Sequence, residues 1–277
     1  MKKLTINKKD KTESLNFKEL AKTLFIDVRK KIERPPIAIS KGEYSQATSF
    51  YPTPICTYSN FSAISGPSKS MKTFFKTALV AGYIGGKSNY YFEDIKGHDT
   101  EGKFVVDLDT EQSEYHVSLS AKRVVKMIGG EYNYYLPFQL RALTPMERFQ
   151  FIEWIFMESE WKDNLGFVAV DGIADIISNT NDLEQSSNAT NAFMKWSAIS
   201  KAHITTVIHN NFDSNKPTGH IGSSITKKAE TVMKVKRDEE KNIVTVSPSY
   251  TRNIPFEEFE FTLNNDFLPK QTKYGRY

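Results

Sequence analysis

The stretch that decides the fold is residues 58–86, YSNFSAISGPSKSMKTFFKTALVAGYIGG. It predicts a short apolar strand over residues 61–64, then a polar turn, then a helix that starts near Lys72. The turn reads Gly66-Pro67-Ser68-Lys69-Ser70-Met71-Lys72-Thr73. It matches the phosphate-binding pattern G-x-x-x-x-G-K-[ST], the P-loop, except that Met71 stands in the place of the second glycine. The stretch therefore predicts a strand–turn–helix unit suited to a phosphate.

The chemistry of this turn depends on its backbone and on two side chains. Backbone N–H groups that point inward, at the start of a helix, create a partial positive charge that favours phosphate. Lys72 adds a mobile cation for the β- and γ-phosphates, and Thr73 adds a hydroxyl for Mg²⁺. Met71 weakens the match, because a residue with a Cβ disfavours positive φ and puts bulk near the anion. The competing interpretation is a polar turn before a core helix.

Composition narrows the class of protein. Of the 277 residues, 39% are hydrophobic and 25% are charged, which is ordinary for globular proteins. The net charge of +4 is small for a nucleic-acid binder, so any basic surface has to be local. The single cysteine, Cys56, rules out an intramolecular disulfide and fits a reducing compartment. It follows Pro54 and Ile55 in an apolar run, which predicts a buried structural thiol.

Two further absences favour a cytoplasmic protein. Residues 1–17 are basic but lack the apolar stretch of a signal peptide. No window approaches the roughly 18 apolar residues that a membrane-spanning helix needs.

The chain is predicted to have two parts. Residues 1–34 form an N-terminal arm, frayed over residues 1–15 and folded as an amphipathic helix over residues 16–33. Residues 35–277 form one domain, in which strands and helices alternate through the middle and strands dominate both ends. This order predicts an α/β fold with a mostly parallel central sheet, flanking helices and antiparallel edge strands at the C-terminus.

Three segments within the domain are assigned from turn-forming residues. Residues 36–60 predict an edge hairpin that leads into the core strand. Residues 178–191, SNTNDLEQSSNATN, predict a loop because they are rich in asparagine and serine. Residues 210–228 predict a second loop, which carries glycine and several polar residues.

Two strand ends carry groups that suit a nucleoside triphosphatase. Asp171 follows the apolar strand at residues 167–170, the arrangement that holds Mg²⁺ through water beside a P-loop. His209 ends the strand at residues 204–208 and is placed to sense a γ-phosphate. Each has a plainer interpretation, a turn or cap residue for Asp171 and a structural histidine for His209.

A third strand end offers three carboxylates for the role of general base. The run Val105-Val106-Asp107-Leu108-Asp109-Thr110-Glu111 puts all three acids on one side of an ideal strand. Glu111 is furthest toward the carboxyl end, where open α/β sheets place their ligands. Glu111 is therefore the predicted base, with Asp107 and Asp109 as competitors.

This order of parts resembles the RecA-like fold of the RepA-type hexameric plasmid helicases, a group related to the DnaB-type replicative helicases. The resemblance covers roughly residues 35–270. It is carried by the segments SAISGPSKSMKTFF, FVVDLDTEQS, FVAVDGIADII, ITTVIHNN and GHIGSSITKKAETVMKVKRD. It departs at Met71, and the chain lacks the additional N-terminal domain of many larger relatives.

The resemblance implies ATP and Mg²⁺ as cofactors. It makes Lys72 and Thr73 the phosphate and Mg²⁺ ligands, Glu111 the catalytic base, Asp171 the second-strand carboxylate and His209 the γ-phosphate sensor. It also implies a homo-oligomeric ring, a hexamer in this family.

The ring would need an arginine from the neighbouring subunit. The resemblance places Arg252 where the family has that arginine, and Arg237 is the alternative. An ordinary turn arginine is the competing interpretation for both.

The resemblance also implies single-stranded DNA as a partner, bound through backbone charge. The predicted loop at residues 210–228 supplies the contacts. Its candidate residues are Lys216, His220, Lys227 and Lys228. A solvated surface loop is the competing interpretation.

Three functions remain open on the sequence alone. The first is a ring-forming single-stranded-DNA helicase of plasmid or mobile-element type, and the second is a regulatory or assembly ATPase that moves no DNA. The third is a degenerate P-loop module that binds nucleotide weakly or not at all, an alternative that Met71 keeps open.

Overall fold

The computed structural model describes residues 16–210 and 217–272. The chain divides into two units, Met1–Arg34 and Pro35–Tyr277. In the described part of the first unit, helix α1 spans Phe17–Leu24 and none of its residues is buried. The helix predicted over residues 16–33 is thus shorter, because Phe25 takes an extended backbone conformation. The frayed arm predicted at residues 1–15 lies outside the described residues.

The strands of the second unit form two sheets. Their bounds are β1 Ile37–Gln46, β2 Ser49–Thr57, β3 Phe61–Gly66, β4 Ile95–Gly97, β5 Phe104–Asp109, β6 Tyr135–Gln139, β7 Leu165–Asp171, β8 His203–His209, β9 Thr231–Asp238, β10 Ile243–Thr251, β11 Phe259–Leu263 and β12 Pro269–Gln271. Within the described residues the larger sheet has nine strands in the order β12-β11-β10-β9-β3-β8-β7-β5-β6. The smaller sheet has the order β2-β1-β4.

The larger sheet is parallel from β9 to β6 and antiparallel from β9 to β12. The predicted α/β class, with a mostly parallel sheet and antiparallel C-terminal edge strands, is confirmed at this level. One detail of the prediction is wrong. The alternating pattern of residues 231–238 predicts an antiparallel edge strand; this strand, β9, does pair antiparallel with β10, but it also pairs in parallel with β3 and so is not an edge strand.

Helices cover both faces of the larger sheet. Their bounds are α2 Lys72–Ile84, α3 Glu114–Ile128, α4 Pro145–Met157, α5 Leu183–Ser200 and α6 Gly219–Lys228. Helices α2 and α3 share one hydrophobic core with Val105, and α4, α5 and α6 share another with Val106. Adjacent strand residues point to opposite faces, so the apolar run of β5 serves both cores. This is why its first three residues, Phe104 to Val106, are all hydrophobic rather than alternating with polar residues.

Two predicted loops are partly helical. The sequence predicts a loop over residues 178–191, but α5 begins at Leu183, where the Asp182 side chain accepts a hydrogen bond from the Gln185 N–H at 2.9 Å. Burial of one face of α5 then outweighs the weak helix propensity of asparagine and serine. The loop predicted over residues 210–228 is also wrong in part, because α6 occupies its second half.

The predicted edge hairpin forms, but it does not extend the larger sheet. Strands β1 and β2 pair antiparallel, and β1 pairs with β4 on its other side. Cys56 lies in β2 and is buried as expected, and burial raises the pKa of its thiol. Among the described helices, none is both long enough and apolar enough to cross a membrane.

Candidate functional site

The predicted site residues meet at one edge of the larger sheet. Strands β3, β5, β7 and β8 are parallel neighbours, so their carboxyl ends lie together. The register pairs Gly66 with His209 and Asp109 with Asp171. The turn after β3 and the start of α2 therefore lie beside the ends of the three other strands. This is the edge where open α/β sheets bind ligands.

Two residues of the turn with a side chain have a left-handed backbone. Met71, in the glycine position, takes a left-handed conformation with φ 72° and ψ 24°, and Lys69 is left-handed at φ 63°. The Met71 side chain packs against the core beside α2. Gly66 has no room for a side chain, because a Cβ there would collide with the Val235 carbonyl oxygen and lie 2.8 Å from Ser70 Oγ. Residue 71 therefore has a left-handed backbone, which glycine adopts readily, although its side chain is that of methionine.

Lys72 contacts its own loop. Its Nζ donates to the carbonyl oxygens of Gly66 at 3.0 Å and Pro67 at 2.6 Å. Burial lowers the pKa of Lys72 to about 8, against the opposing effect of the Asp171 and Glu111 carboxylates. The ammonium therefore lies against the backbone of the turn, where it could also contact an anion bound there.

The three candidate bases have different environments. Asp109 is buried and accepts N–H groups of Glu111 at 3.0 Å and Gln112 at 2.7 Å, so its carboxylate holds the turn after β5. Burial raises the pKa of Asp109. Asp107 is also buried and accepts the Tyr135 hydroxyl at 3.0 Å. Both carboxylates are therefore engaged in the structure of the strand end.

Glu111 is the exposed member of the three. It lies two residues beyond the end of β5, not at the strand end as predicted, and 67% of its side chain is exposed. Its Oε2 is 3.7 Å from His209 Nε2, and this neighbour lowers the pKa of Glu111 although burial opposes the shift. Two of the predicted catalytic residues are thus adjacent, and the carboxylate is free to meet a ligand.

Sequence reasoning missed Lys76, which lies one helical turn beyond Lys72. Its Nζ is 2.8 Å from Asp107 Oδ1 and 3.3 Å from Asp171 Oδ2. Burial works against its charge, but the carboxylates of Asp107, Asp171 and Asp109 together raise the pKa of Lys76. A signal was present in the sequence, because one lysine inside the apolar run of α2 implies a buried counter-charge.

The two arginine candidates lie at opposite ends of β9. Arg237, near its carboxyl end, lines a cleft of about 400 Å³ together with Pro67, Ser68, Lys69 and Ser70 of the turn. Arg252 follows β10, which pairs Thr251 with Thr231 at the amino end of β9. Its Nη2 donates to the Lys228 carbonyl oxygen at 2.7 Å. In this chain Arg252 is therefore at the sheet edge opposite the turn.

Three of the four predicted nucleic-acid contacts share a groove. His220, Lys227 and Lys228 of α6 line a cavity of about 200 Å³ with four serines of α5 and α6. The serines are Ser186, Ser187, Ser223 and Ser224. The hydroxyl of Ser186 is buried without a hydrogen-bond partner among the described residues. Lys216 lies outside the described residues.

The residues at the turn fit a nucleotide phosphate with Mg²⁺. Thr73 at the start of α2 is partly exposed, and Asp171 on β7 is buried, with its Oδ2 3.3 Å from Lys76 Nζ of the same helix. The hydroxyl of Ser70 is buried in the turn and has no hydrogen-bond partner within the described part of the chain. Within the same residues, no group of three or more His, Cys, Asp or Glu side chains could hold a metal by itself. A cation here would depend on the phosphates and water for its remaining ligands.

The conformation of Met71 leads to a prediction about stability. A left-handed residue with a Cβ costs about 1–2 kcal/mol, and glycine adopts this conformation without that cost. Both Met71→Gly and Met71→Ala lose the packing of the methionine side chain, but only Met71→Ala keeps the backbone strain, so we expect Met71→Gly to unfold at higher denaturant. A difference of about 1–2 kcal/mol in the free energy of unfolding is expected. Equal stability of the two variants would show that residue 71 is not strained.

Nucleotide titrations of the same two variants test the bulk of the side chain. If the methionine crowds the anion, both variants bind ATP more tightly than the wild type. Weaker binding by both would mean that the turn is shaped around methionine.

A scan against models of protein families found no match for this chain, and a search of curated proteins found no relative.

Proposed function

We propose that this chain is a RecA-like ATPase that binds and hydrolyses ATP with Mg²⁺, as a ring-forming single-stranded-DNA helicase of plasmid or mobile-element type. The observation that carries the proposal is the meeting of the turn and Lys72 with Asp171, Glu111 and His209 at one sheet edge. Separate segments of the chain thus contribute the groups that ATP hydrolysis uses. A polar turn before a core helix would account for the turn alone.

In this proposal each group has one task. Lys72 exchanges the carbonyl oxygens of Gly66 and Pro67 for phosphate oxygens. Thr73 and Asp171 would hold Mg²⁺, which would supply positive charge to the phosphates. Glu111 would accept a proton from the attacking water, and His209, whose Nε2 is 3.7 Å from Glu111 Oε2, would sense the γ-phosphate.

The groove between α5 and α6 supports the DNA part of the proposal. It places two lysines and a histidine among serine hydroxyls, which together suit a phosphodiester backbone. Interactions of this kind carry no sequence information and depend strongly on salt. The grouping of these side chains in one groove favours a binding surface over the competing interpretation of an ordinary solvated loop.

ATPase assays with and without single-stranded DNA test the proposal against its alternatives. We expect turnover that single-stranded DNA stimulates. Turnover that ignores DNA would identify the regulatory or assembly ATPase, and no nucleotide binding would identify the degenerate module.

A double variant extends this test to the groove. Lys227→Ala/Lys228→Ala should weaken DNA binding and reduce its salt dependence by about 0.7 in log–log slope for each phosphate that is no longer neutralised. The ATPase rate without DNA should stay the same. Unchanged DNA affinity and slope would remove the groove as the DNA-binding surface.

The arginine supplied in trans is tested by mixing inactive subunits. Such an arginine is worth about 10³–10⁵ in rate in related nucleotide hydrolases. We expect Arg252→Ala and Glu111→Gln to be inactive alone and to recover partial activity when mixed, since some interfaces in a mixed ring are intact.

Arg237→Ala provides the comparison, because Arg237 lines the cleft beside its own turn. An arginine that acts in its own subunit cannot be complemented by Glu111→Gln, so this mixture should stay inactive. If ATPase activity recovers when Arg237→Ala, and not Arg252→Ala, is mixed with Glu111→Gln, then Arg237 is the arginine supplied in trans. No recovery in either mixture, with a monomeric mass in ATP, would contradict the ring.

A further inference from the structure

The most unusual group near the site is the ammonium of Lys76. The side chains of Lys76, Asp107 and Asp171 are only 2%, 4% and 9% exposed, and the lysine bridges both carboxylates. It lies on α2 four residues after Lys72, so the two lysines share a helix face. Asp107 is held from its other side by the Tyr135 hydroxyl. The bridge thus joins the helix that follows the turn to strands β5 and β7.

Packing alone does not explain this arrangement. Phe75, Ala78, Leu79 and Val80 around Lys76 on α2 are essentially unexposed, and an apolar side chain would suit the position. Burying charges costs several kcal/mol per ion, and well-packed apolar residues often replace buried ion pairs without loss of stability. A charge at this position therefore calls for a role that an apolar residue cannot fill. Asp171 is the member of the bridge that belongs to the candidate site.

We propose that Lys76 is a positioning residue that restrains the Asp171 carboxylate and partly neutralises it, and so sets the Mg²⁺ concentration at which nucleotide binds. This inference rests on the proposed ATP·Mg²⁺ binding. An ammonium 3.3 Å from Asp171 Oδ2 occupies one carboxylate oxygen and repels a second cation nearby. Asp107 Oδ1 is 2.8 Å from the same Nζ, so Asp107 offsets part of the positive charge of Lys76 and weakens its effect on Asp171.

Two variants of the bridge should move the Mg²⁺ requirement in opposite directions. Lys76→Met/Asp107→Asn removes the ammonium and its deeper partner together, which leaves Asp171 free to attract the cation. The half-saturating Mg²⁺ concentration should fall about tenfold, equivalent to about 1.4 kcal/mol. Asp107→Asn alone leaves the ammonium to Asp171, so the half-saturating concentration should rise. Lys76→Met alone is avoided, because it leaves two buried carboxylates without their ammonium.

The measurement is binding of a fluorescent ATP analogue by the full chain during a MgCl₂ titration. Lys76→Arg keeps the charge and should stay close to the wild-type midpoint. Lys122→Met removes a lysine from the exposed side of α3 and is the matched control for the loss of a charge. Denaturant unfolding in EDTA shows, without nucleotide, which variants are folded, and each folded variant is interpreted independently.

The outcomes separate this inference from the proposed function. Wild-type protein that binds no nucleotide at any Mg²⁺ concentration overturns both. The role of Lys76 is overturned, and the proposed function is not, if the wild type binds nucleotide but the folded bridge variants have an unchanged half-saturating Mg²⁺ concentration. Shifts of that concentration opposite to those expected have the same meaning. A similar shift of the half-saturating Mg²⁺ concentration in Lys122→Met would show that losing any positive charge has this effect, which also contradicts the inference.

Discussion

Nucleotide binding should be lost in Lys72→Ala. Lys72 is the lysine whose Nζ donates to carbonyl oxygens of the turn, those of Gly66 and Pro67. Its removal leaves a bound phosphate without that charge-assisted partner, a loss that costs about 2–5 kcal/mol in buried charge pairs. At about 1.4 kcal/mol per tenfold change, ATP affinity should fall by about 30-fold to several thousandfold. Fluorescence titration with an ATP analogue measures the change directly.

The control for Lys72→Ala is Lys122→Ala, which removes an exposed lysine from α3. It should bind ATP as the wild type does. Unfolding curves of both variants are needed, since Lys72 also holds the carbonyl groups of its own turn. ATP affinity that survives in a folded Lys72→Ala protein would remove the P-loop assignment.

The Glu111→Gln variant should bind ATP and fail to hydrolyse it. The substitution keeps the size of the side chain but removes the proton acceptor, which is typically worth about 10²–10⁴ in rate. Because 67% of the Glu111 side chain is exposed, the fold should be undisturbed. Single-turnover hydrolysis, measured beside the binding titration, separates the two steps.

Two carboxylates serve as comparisons for Glu111. Glu114→Gln makes the same chemical change at an exposed position three residues later and should hydrolyse ATP normally. Asp109→Asn should lower stability, because Asp109 accepts two backbone N–H groups of the turn after β5. Retained hydrolysis in Glu111→Gln, combined with its loss in a folded Asp109→Asn, would make Asp109 the base.

The central part of the fold was predictable from the sequence because its signals are local. The apolar runs of β3, β5, β7 and β8 predict strands buried on both faces, and each is followed by turn or cap residues. The capping box at Thr144 and Glu147 likewise marks the start of α4. The parallel pairing then follows from the alternation of strands and helices.

The errors arise where tertiary burial or a cap outweighs composition. The asparagines and serines of the first half of α5 predict a loop, although Asp182 followed by Gln185 is an N-terminal capping pattern. The place of β9 inside the sheet depends on its pairing with β3, which is 165 residues or more away along the chain (231 − 66). No local pattern encodes such a pairing.

The candidate site was predictable in its members but not in their contacts. Motif order places Lys72 where the turn meets α2 and Asp171 and His209 at strand ends, but parity along β5 could not separate Glu111 from Asp109. The distinction depends on burial and hydrogen bonds, which only the folded chain defines. Lys76 was missed because a lysine in a helix normally lies on the solvated face.

The resting position of Lys72 also has a kinetic consequence. With its ammonium on the Gly66 and Pro67 carbonyl oxygens, the turn carries an internal ligand that screens two acceptors which would otherwise repel an anion. Under the proposed function, an arriving phosphate would compete with these two carbonyl groups for the Lys72 ammonium. Binding would then be an exchange of hydrogen-bond acceptors at the Lys72 ammonium, and on release of the anion the Gly66 and Pro67 carbonyl groups would take its place.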